Sequence, residues 1–287
     1  MKEPIIFIGM HRSGTSLLGR LLEECGLFVG KRKDQNNESE LFKKFNNWLM
    51  FQCGARWDNP GATGYLWSTA HAEALKSGQD YIDLLLRSPM LIEYLGIRHY
   101  LRHRSLHSLD FPWGWKDPRN TFTLPFWTSL FPEAKVIFIE RHGVDVAESL
   151  RVRAHMSIGN IKKRFETYKP FAIMRFKKGG FSDSPRCMFL EGGFSLWQEY
   201  QQQAFKLLEG YPENLVYRIR YEELIANPEE YVSRICAFIG IEPQKEKIKK
   251  VCSSINCGRA YSYRSKSKLV EFSVDHQDAL KLWGYSA

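Results

Sequence analysis

A glycine-containing loop near the N-terminus holds the residues best suited to chemistry. Residues 9–16, GMHRSGTS, follow an apolar segment and precede a helical pattern, and their two glycines have the spacing of the phosphate loop GxxxxGK[ST]. The loop offers four kinds of group that bind anions: backbone N–H groups, a helix N-terminus, hydroxyl groups and a guanidinium. The loop therefore predicts an anion site, best suited to a nucleotide 5′-phosphate group. The candidate ligands are Arg12, Ser13, Gly14, Thr15 and Ser16.

Thr15 stands where the phosphate loop of kinases and ATPases has its lysine. Because that lysine contacts the β- and γ-phosphates, its replacement disfavours ATP hydrolysis. Two other functions stay open at this point: a P-loop small-molecule kinase that uses ATP, and a module that binds nucleotide or nucleic acid without catalysis. Without any ligand, the loop would be an ordinary strand-to-helix turn capped by Ser13 or Thr15.

Placed after an N-terminal strand, the loop resembles the 5′-phosphosulfate loop of sulfotransferases that use 3′-phosphoadenosine 5′-phosphosulfate (PAPS). Arg12 makes it most similar to the tyrosylprotein and bacterial-type members, since cytosolic members usually have Lys at that position. The resemblance covers most of residues 4–285, and its strongest motifs lie at 9–16 and 141–149. It implies an enzyme that moves a sulfuryl group from PAPS to a hydroxyl or amine by in-line transfer, without a metal.

The same resemblance implies a site for the 3′-phosphate of the donor. Members of the family bind that phosphate with an arginine at a strand end and a serine eight residues later, a spacing that Arg141 and Ser149 share. A basic loop near the C-terminus closes on this phosphate in the family, and Arg259 and Arg264 are the candidates here. Tyr221 lies in a segment similar to the family's Arg-Tyr-Glu-Asp-Leu stretch. It is the candidate contact of the adenine, or else a packing tyrosine.

Residues 115–119, WKDPR, resemble the family's Lys-Asp/Thr-Pro stretch. In relatives this lysine lies near the transferring sulfuryl group. Lys116 would then stabilise the charge that develops on the bridging oxygen as the S–O bond breaks. The alternative is a strand-end lysine paired with Asp117. For Arg119, a structural ion pair is as good an interpretation as a role in the site.

Attack of an alcohol on sulfur requires a base that takes the hydroxyl proton. Similarity to bacterial-type members favours Glu38, with Glu40 as the fallback and His11 as a rival. Glu38 could instead be an acid that complements a helix N-terminus. The predicted catalytic residues are Glu38, Lys116 and Arg12.

Strands and helices must position these residues. Short apolar runs at 4–9, 135–140 and 215–219 predict strands. Helical patterns lie before Gly26 and near 38–53, 69–87, 89–103, 121–131, 144–152 and 194–209, whereas 170–193 reads as a long loop. The alternation predicts an α/β fold with a central parallel sheet flanked by helices. The resemblance implies the P-loop-containing nucleotide-hydrolase-like fold of sulfotransferases, with residues 1–287 as a single sulfotransferase domain.

Composition excludes several classes of protein. The chain has 287 residues, of which 44% are hydrophobic and 25% charged, which argues against disorder and collagen. Its N-terminal apolar run is far shorter than the roughly 20 residues of a membrane helix, and no secretory cleavage site follows it. The six cysteines have no CxxC spacing, which favours reduced thiols over a zinc site or a disulfide framework. A cytoplasmic protein without a membrane span is expected.

The net charge of +9 is concentrated in two segments. Residues 151–187 hold ten Lys and Arg against two acids, and residues 245–268 hold eight against one. Uniform basicity would suggest nucleic acid as a partner, whereas local concentrations suggest anionic sites, so no nucleic-acid partner is expected. The second segment includes the candidate donor arginines, and the first suggests an acidic acceptor. That acceptor could be a sugar, a lipid, a small alcohol or a peptide. Three histidines could line a site for an anionic acceptor or simply belong to an exposed basic helix: His99, His103 and His107.

Overall fold

The computed structural model of the chain describes residues 2–171, 174, 180–253 and 255–287. Contacts between Cα atoms divide it into two compact units. The first consists of Met1–Arg141 and Glu199–Ala260, and the second of His142–Gln198 and Tyr261–Ala287. The assignment of residues 1–287 to a single sulfotransferase domain stays a prediction.

The first unit is built around a parallel sheet. Its strands are β1 (Ile5–Ile8), β2 (Gly114–Lys116), β3 (Lys135–Glu140) and β4 (Val216–Arg220), in the order β2-β1-β3-β4. Strand pairing aligns Phe7 with Lys116 and Ile8 with Phe138. Because the strands are parallel, the segments that follow β1, β2 and β3 leave the sheet at the same edge, where α/β proteins bind ligands.

Helices follow and connect the strands. In chain order they are α1 (Thr15–Cys25), α2 (Glu40–Phe51), α3 (Ala72–Leu85), α4 (Ile92–His103), α5 (Asn120–Leu130), α6 (Gly143–Tyr168), α7 (Leu190–Leu208), α8 (Tyr221–Ala226), α9 (Pro228–Ile239), α10 (Lys245–Cys252), α11 (Ser267–Asp275) and α12 (Gln277–Lys281). Short 3-10 turns include Cys257–Arg259 and Ser262–Ser265. The parallel sheet with its helices confirms the predicted α/β class.

Successive residues of β1 pack on opposite faces of the sheet. Ile6 and Ile8 belong to one hydrophobic cluster, and Ile5 and Phe7 belong to another. A strand that is buried on both faces has no polar alternation. This explains why β1 is a continuous apolar run and could be predicted from the sequence.

Elements that depart from the predicted pattern have local causes. β2 has only three residues and ends on a lysine, so it produces no apolar run. α6 continues to Tyr168 instead of ending near Val152, because no proline interrupts it and the single Gly159 only weakens it. The predicted loop 170–193 lies partly outside the described residues, and its last residues form the start of α7. Glycine is needed there for packing, since a Cβ on Gly192 would lie 2.1 Å from the backbone oxygen of Arg186.

Three further features of the described residues concern membrane-spanning helices, metal sites and the state of the cysteines. A helix with the length and apolar character of a membrane span does not occur in the described part of the chain. Within the same residues, no group of three or more His, Cys, Asp or Glu side chains is arranged to hold a metal ion. The cysteines are free thiols, and Cys25, Cys187, Cys236 and Cys252 are buried.

Candidate functional site

The loop between β1 and α1 requires glycine at both ends. Gly9 has φ +130°, and a Cβ there would lie 2.2 Å from the backbone oxygen of Ile139 on β3. Gly14 has φ +96°, and a Cβ there would lie 2.4 Å from Cδ2 of Tyr221. Both the left-handed backbone and the close contacts exclude larger residues. The two glycines of the predicted phosphate loop are therefore explained by the local structure.

The N-terminus of α1 carries unused hydrogen-bonding capacity. Gly14 is its N-cap, no described side chain caps the helix, and the first turn has no acid. The interpretation as a turn capped by Ser13 or Thr15 is therefore wrong. The Ser13 hydroxyl is 1% exposed and has no hydrogen-bond partner among the described residues. Buried polar groups are normally paired, so the helix end and this hydroxyl together fit an anion such as a phosphate.

Arg141, directly after β3, joins the loop to two other candidates. Its Nη1 donates to the backbone oxygen of Arg12 at 3.3 Å, and its Nη2 donates to that of Arg259 at 3.0 Å. Its guanidinium carbon lies 4.5 Å from the centre of the Tyr221 ring, a cation–π distance. The side chains of Arg12 and Arg259 are exposed. The structure thus brings together four residues that the sequence placed far apart.

Ser149 and Arg264 belong to the second unit. Ser149 is half-buried on α6, and Arg264 lies in the turn Ser262–Ser265. The Arg264 guanidinium carbon lies 4.5 Å from the centre of the Tyr261 ring, and its Nε donates to the Tyr263 hydroxyl at 3.4 Å. The donor-binding role of both residues stays a prediction.

Lys116, at the end of β2, forms a buried ion pair with Glu38. Its Nζ donates to Glu38 Oε1 at 3.1 Å and to the Ser16 hydroxyl at 3.2 Å. Both charged residues are 2% exposed. Asp117 accepts from Arg119 Nη1 at 2.6 Å instead, so the suggested Lys116–Asp117 pair is wrong. The predicted base, the predicted lysine and the phosphate loop are in direct contact through this chain of bonds.

Burial opposes both charges of this pair. Desolvation, followed by the nearby Asp117 carboxylate, raises the pKa of Glu38, while Lys116 and Arg119 lower it less. Desolvation lowers the pKa of Lys116, and the Glu38 carboxylate partly offsets this effect. The pKa values of the two groups are therefore closer to each other than in free amino acids, and the Glu38 carboxylate is a stronger base than an ordinary one.

Asn46 is a residue of the site to which sequence reasoning assigned no role. Its Nδ2 donates to Asp117 Oδ2 at 2.9 Å, and its Oδ1 accepts from Thr123 Oγ1 and Trp127 Nε1, each at 2.8 Å. Asn46 is fully buried. Its partners lie more than 70 residues away in the sequence, so no local pattern could have revealed this contact.

The rival bases have different surroundings. His11 is 8% exposed, and its ring meets the Trp57 ring edge to face at 4.7 Å. Glu40 is the half-buried first residue of α2. Neither shares an ion pair with Lys116 in the described structure. Glu38 is thus the carboxylate in contact with the lysine.

The cationic candidates around α4 have local partners. His107 Nε2 lies 3.3 Å from Asp83 Oδ1, and His103 Nδ1 lies 3.2 Å from the backbone oxygen of Ser108. His99 packs on the Phe28 ring at 5.5 Å. These contacts favour a structural role over an acceptor site.

Comparison with known proteins identifies the family. The profile of the sulfotransferase family matches residues 4–245. The chain belongs to the sulfotransferase family. Its membership confirms the resemblance found in the sequence and supports an enzyme that transfers sulfo groups. A comparison with curated proteins found no match.

Solved sulfotransferases share the fold of this family member. The sulfotransferase domain of the Synechococcus PCC 7002 olefin synthase matches with a TM-score of 0.55 and 18% identity, over 100% of this chain and 97% of that domain. The sulfotransferase domain from the curacin biosynthetic pathway matches with a TM-score of 0.51 and 17% identity, over 96% and 97%. At these identities the likeness concerns the fold, which is the P-loop-like sulfotransferase fold that the sequence predicted.

Proposed function

We propose that the protein transfers a sulfuryl group from PAPS to a hydroxyl or amine of an acceptor. The observation that carries this proposal is the buried contact of Glu38 with Lys116, which in turn reaches Ser16 of the phosphate loop. In the proposed step the acceptor oxygen or nitrogen attacks sulfur, and its proton passes to Glu38. The bond between sulfur and the bridging oxygen breaks, and the electron pair stays on the 5′-phosphate of adenosine 3′,5′-bisphosphate (PAP).

The phosphate loop would hold the 5′ end of the donor. The N-terminus of α1 and the Ser13 hydroxyl, which have no side-chain cap and no hydrogen-bond partner among the described residues, would supply donors, and Arg12, Thr15 and Ser16 would complete the set. Lys116 would stabilise the charge on the departing oxygen. No step of this reaction calls for a metal.

The 3′-phosphate would be held by Arg141 together with Ser149, Arg259 and Arg264, and Tyr221 would contact the adenine. The support within the first unit is the contact of Arg141 with Arg12, Arg259 and Tyr221. The kinase alternative loses support, because the family is one of sulfotransferases. The basic segment 151–187 is the reason to propose an acidic acceptor.

Thermal unfolding with two nucleotides tests the proposal. PAP carries the 3′-phosphate, whereas adenosine 5′-monophosphate lacks it, and the two are otherwise alike. We expect PAP to raise the unfolding temperature clearly more, since at equal concentration the ligand that binds the folded state more tightly stabilises it more. Equal stabilisation by both nucleotides would show that the 3′-phosphate site, and with it PAPS as the donor, is wrong.

A further inference from the structure

Glu38 lies in a buried group of charged side chains that also contains Lys116, Asp117 and Arg119. None of them is more than 5% exposed. Arg119 Nη1 lies 2.6 Å from Asp117 Oδ1 and 3.4 Å from Glu38 Oε2. A single guanidinium nitrogen therefore bridges both carboxylates, while Lys116 takes the other oxygen of Glu38.

Asp117 is held by hydrogen bonds to both of its carboxylate oxygens. Its Oδ1 also accepts from the backbone N–H of Arg119 at 3.0 Å, and its Oδ2 accepts from Asn46 Nδ2 at 2.9 Å. Asn46 is in turn fixed by its bonds from Thr123 and Trp127. Asp117 thus has both oxygens occupied by donors that cannot easily move.

We propose that Asp117 and Arg119 are positioning residues: Asp117 orients the guanidinium of Arg119, and Arg119 orients the Glu38 carboxylate. The proposal rests on the proposed function, in which Glu38 takes the acceptor proton. A carboxylate held at both oxygens keeps one orientation toward the incoming hydroxyl, and small displacements of such groups are costly for transfer. Arg119 is suited to this role because its guanidinium is planar and permanently charged, so its Nη1 keeps a fixed direction toward the two carboxylates.

Asp117 and Arg119 carry opposite charges and therefore have opposite effects on the proton affinity of Glu38. Lys116, Arg119 and, at 3.8 Å, Lys43 attract its ionised form. Asp117 repels that form, and so does Asp34, which is itself paired with Lys43. Removal of the Asp117 charge should lower the proton affinity of Glu38, whereas removal of the Arg119 charge should raise it.

The experiment compares Asp117→Asn with Arg119→Gln. The carboxyl carbon NMR signal of Glu38, assigned by its loss in Glu38→Gln, is titrated in each protein. We expect the midpoint of Glu38 to move to lower pH in Asp117→Asn and to higher pH in Arg119→Gln. A merely structural role would let water reach Glu38 in both variants and move both midpoints downward, because burial is the largest cause of its raised pKa. Shifts in the same direction, or no shifts, would overturn the proposal.

Two controls keep the result decisive. Arg119→Lys retains the charge, so its midpoint should lie below that of Arg119→Gln; equal midpoints would also overturn the proposal, even if Asp117→Asn fails to fold. Calorimetry with PAP on the wild-type protein is independent of these titrations. Absence of PAP binding would contradict the proposed function, while the titrations would still decide whether Asp117 and Arg119 act on Glu38.

Discussion

Arg141 donates from Nη2 to the backbone oxygen of Arg259 at 3.0 Å and so joins two segments 118 residues apart. The same guanidinium also bonds to the backbone of Arg12. Arg141 can therefore act in two ways: as a ligand of the 3′-phosphate, and as a link that holds both loops in place.

Arg141→Ala should lower the affinity for PAP by at least about tenfold, since charged hydrogen bonds of roughly 1.5–3 kcal/mol are lost. Calorimetry measures this effect. If Arg141 contacts the 3′-phosphate, the affinity for adenosine 5′-monophosphate should change much less. Equal losses for both nucleotides would indicate that Arg141 only links the loops. The exposed Arg234, paired with Glu230 on α9, is a matched control whose replacement by alanine should have no effect.

Glu38→Gln should leave PAP binding intact and largely abolish transfer. The amide cannot accept the acceptor proton, yet it can still accept a hydrogen bond from Lys116. Transfer of labelled sulfur from PAPS to a panel of hydroxyl and amine compounds, selected on the wild-type protein, measures the loss. Glu40→Gln is the control and should retain activity. Near-normal turnover of Glu38→Gln would point to His11 or Glu40 as the base.

The pH dependence of transfer should be bell-shaped. Transfer requires Glu38 deprotonated and Lys116 protonated. Burial raises the pKa of Glu38 and lowers that of Lys116, so the acid limb should lie above the range of an ordinary glutamate and the alkaline limb below that of an ordinary lysine. The limbs belong to the coupled pair. A value of kcat/KM that stays constant from the pH range in which an ordinary glutamate titrates to that in which an ordinary lysine titrates would contradict this prediction.

Gly14→Ala should destabilise the protein by about 2 kcal/mol or more and weaken PAP binding. The new methyl group would meet the Tyr221 ring at 2.4 Å on a backbone with φ +96°. Gly54→Ala separates the steric contact from the backbone strain. Gly54 has φ +72°, but no described atom lies within 4 Å of an added Cβ. This replacement should cost only about 1 kcal/mol, the backbone contribution alone. Urea denaturation of both variants measures the difference, and equal losses would refute the steric explanation.

Glu148→Gln should destabilise the second unit near neutral pH and not in acid. Glu148 accepts from Arg151 Nε and from Lys266 Nζ, each at 2.8 Å. Burial of Glu148 acts to raise its pKa, but bonds from Arg151 and Lys266 outweigh this and lower it. Its contribution is therefore present above the pKa of the unfolded chain and disappears as pH falls through the folded-state pKa.

The expected loss for Glu148→Gln is about 1 kcal/mol near neutral pH, because both partners are partly exposed. Urea denaturation at several pH values measures it. Glu166→Gln on the same helix is the control, since Glu166 pairs with Lys169 at the surface. A loss that stays constant into acid would contradict the ion-pair explanation.

The sequence predicted those parts of the molecule that depend on local patterns. β1 and β3 are buried runs, and the loop 9–16 has a glycine spacing that its positive φ angles require. Contacts between residues that lie far apart in the sequence could not be predicted from such patterns. Glu38 and Lys116 are 78 residues apart, and only the folded structure shows that this lysine pairs with Glu38 and not with its neighbour Asp117.

The pairing of β1 with β2 fixes the sign of the charge next to the phosphate loop. Phe7 lies opposite Lys116, and Asp117 follows immediately. A shift of β2 by one residue would place a carboxylate where the ammonium group now stands, and it would turn every side chain of this strand to the other face. An insertion or deletion before Gly114 that shifted this register would therefore convert an anion-attracting sheet edge into a repelling one, without altering any residue of the loop.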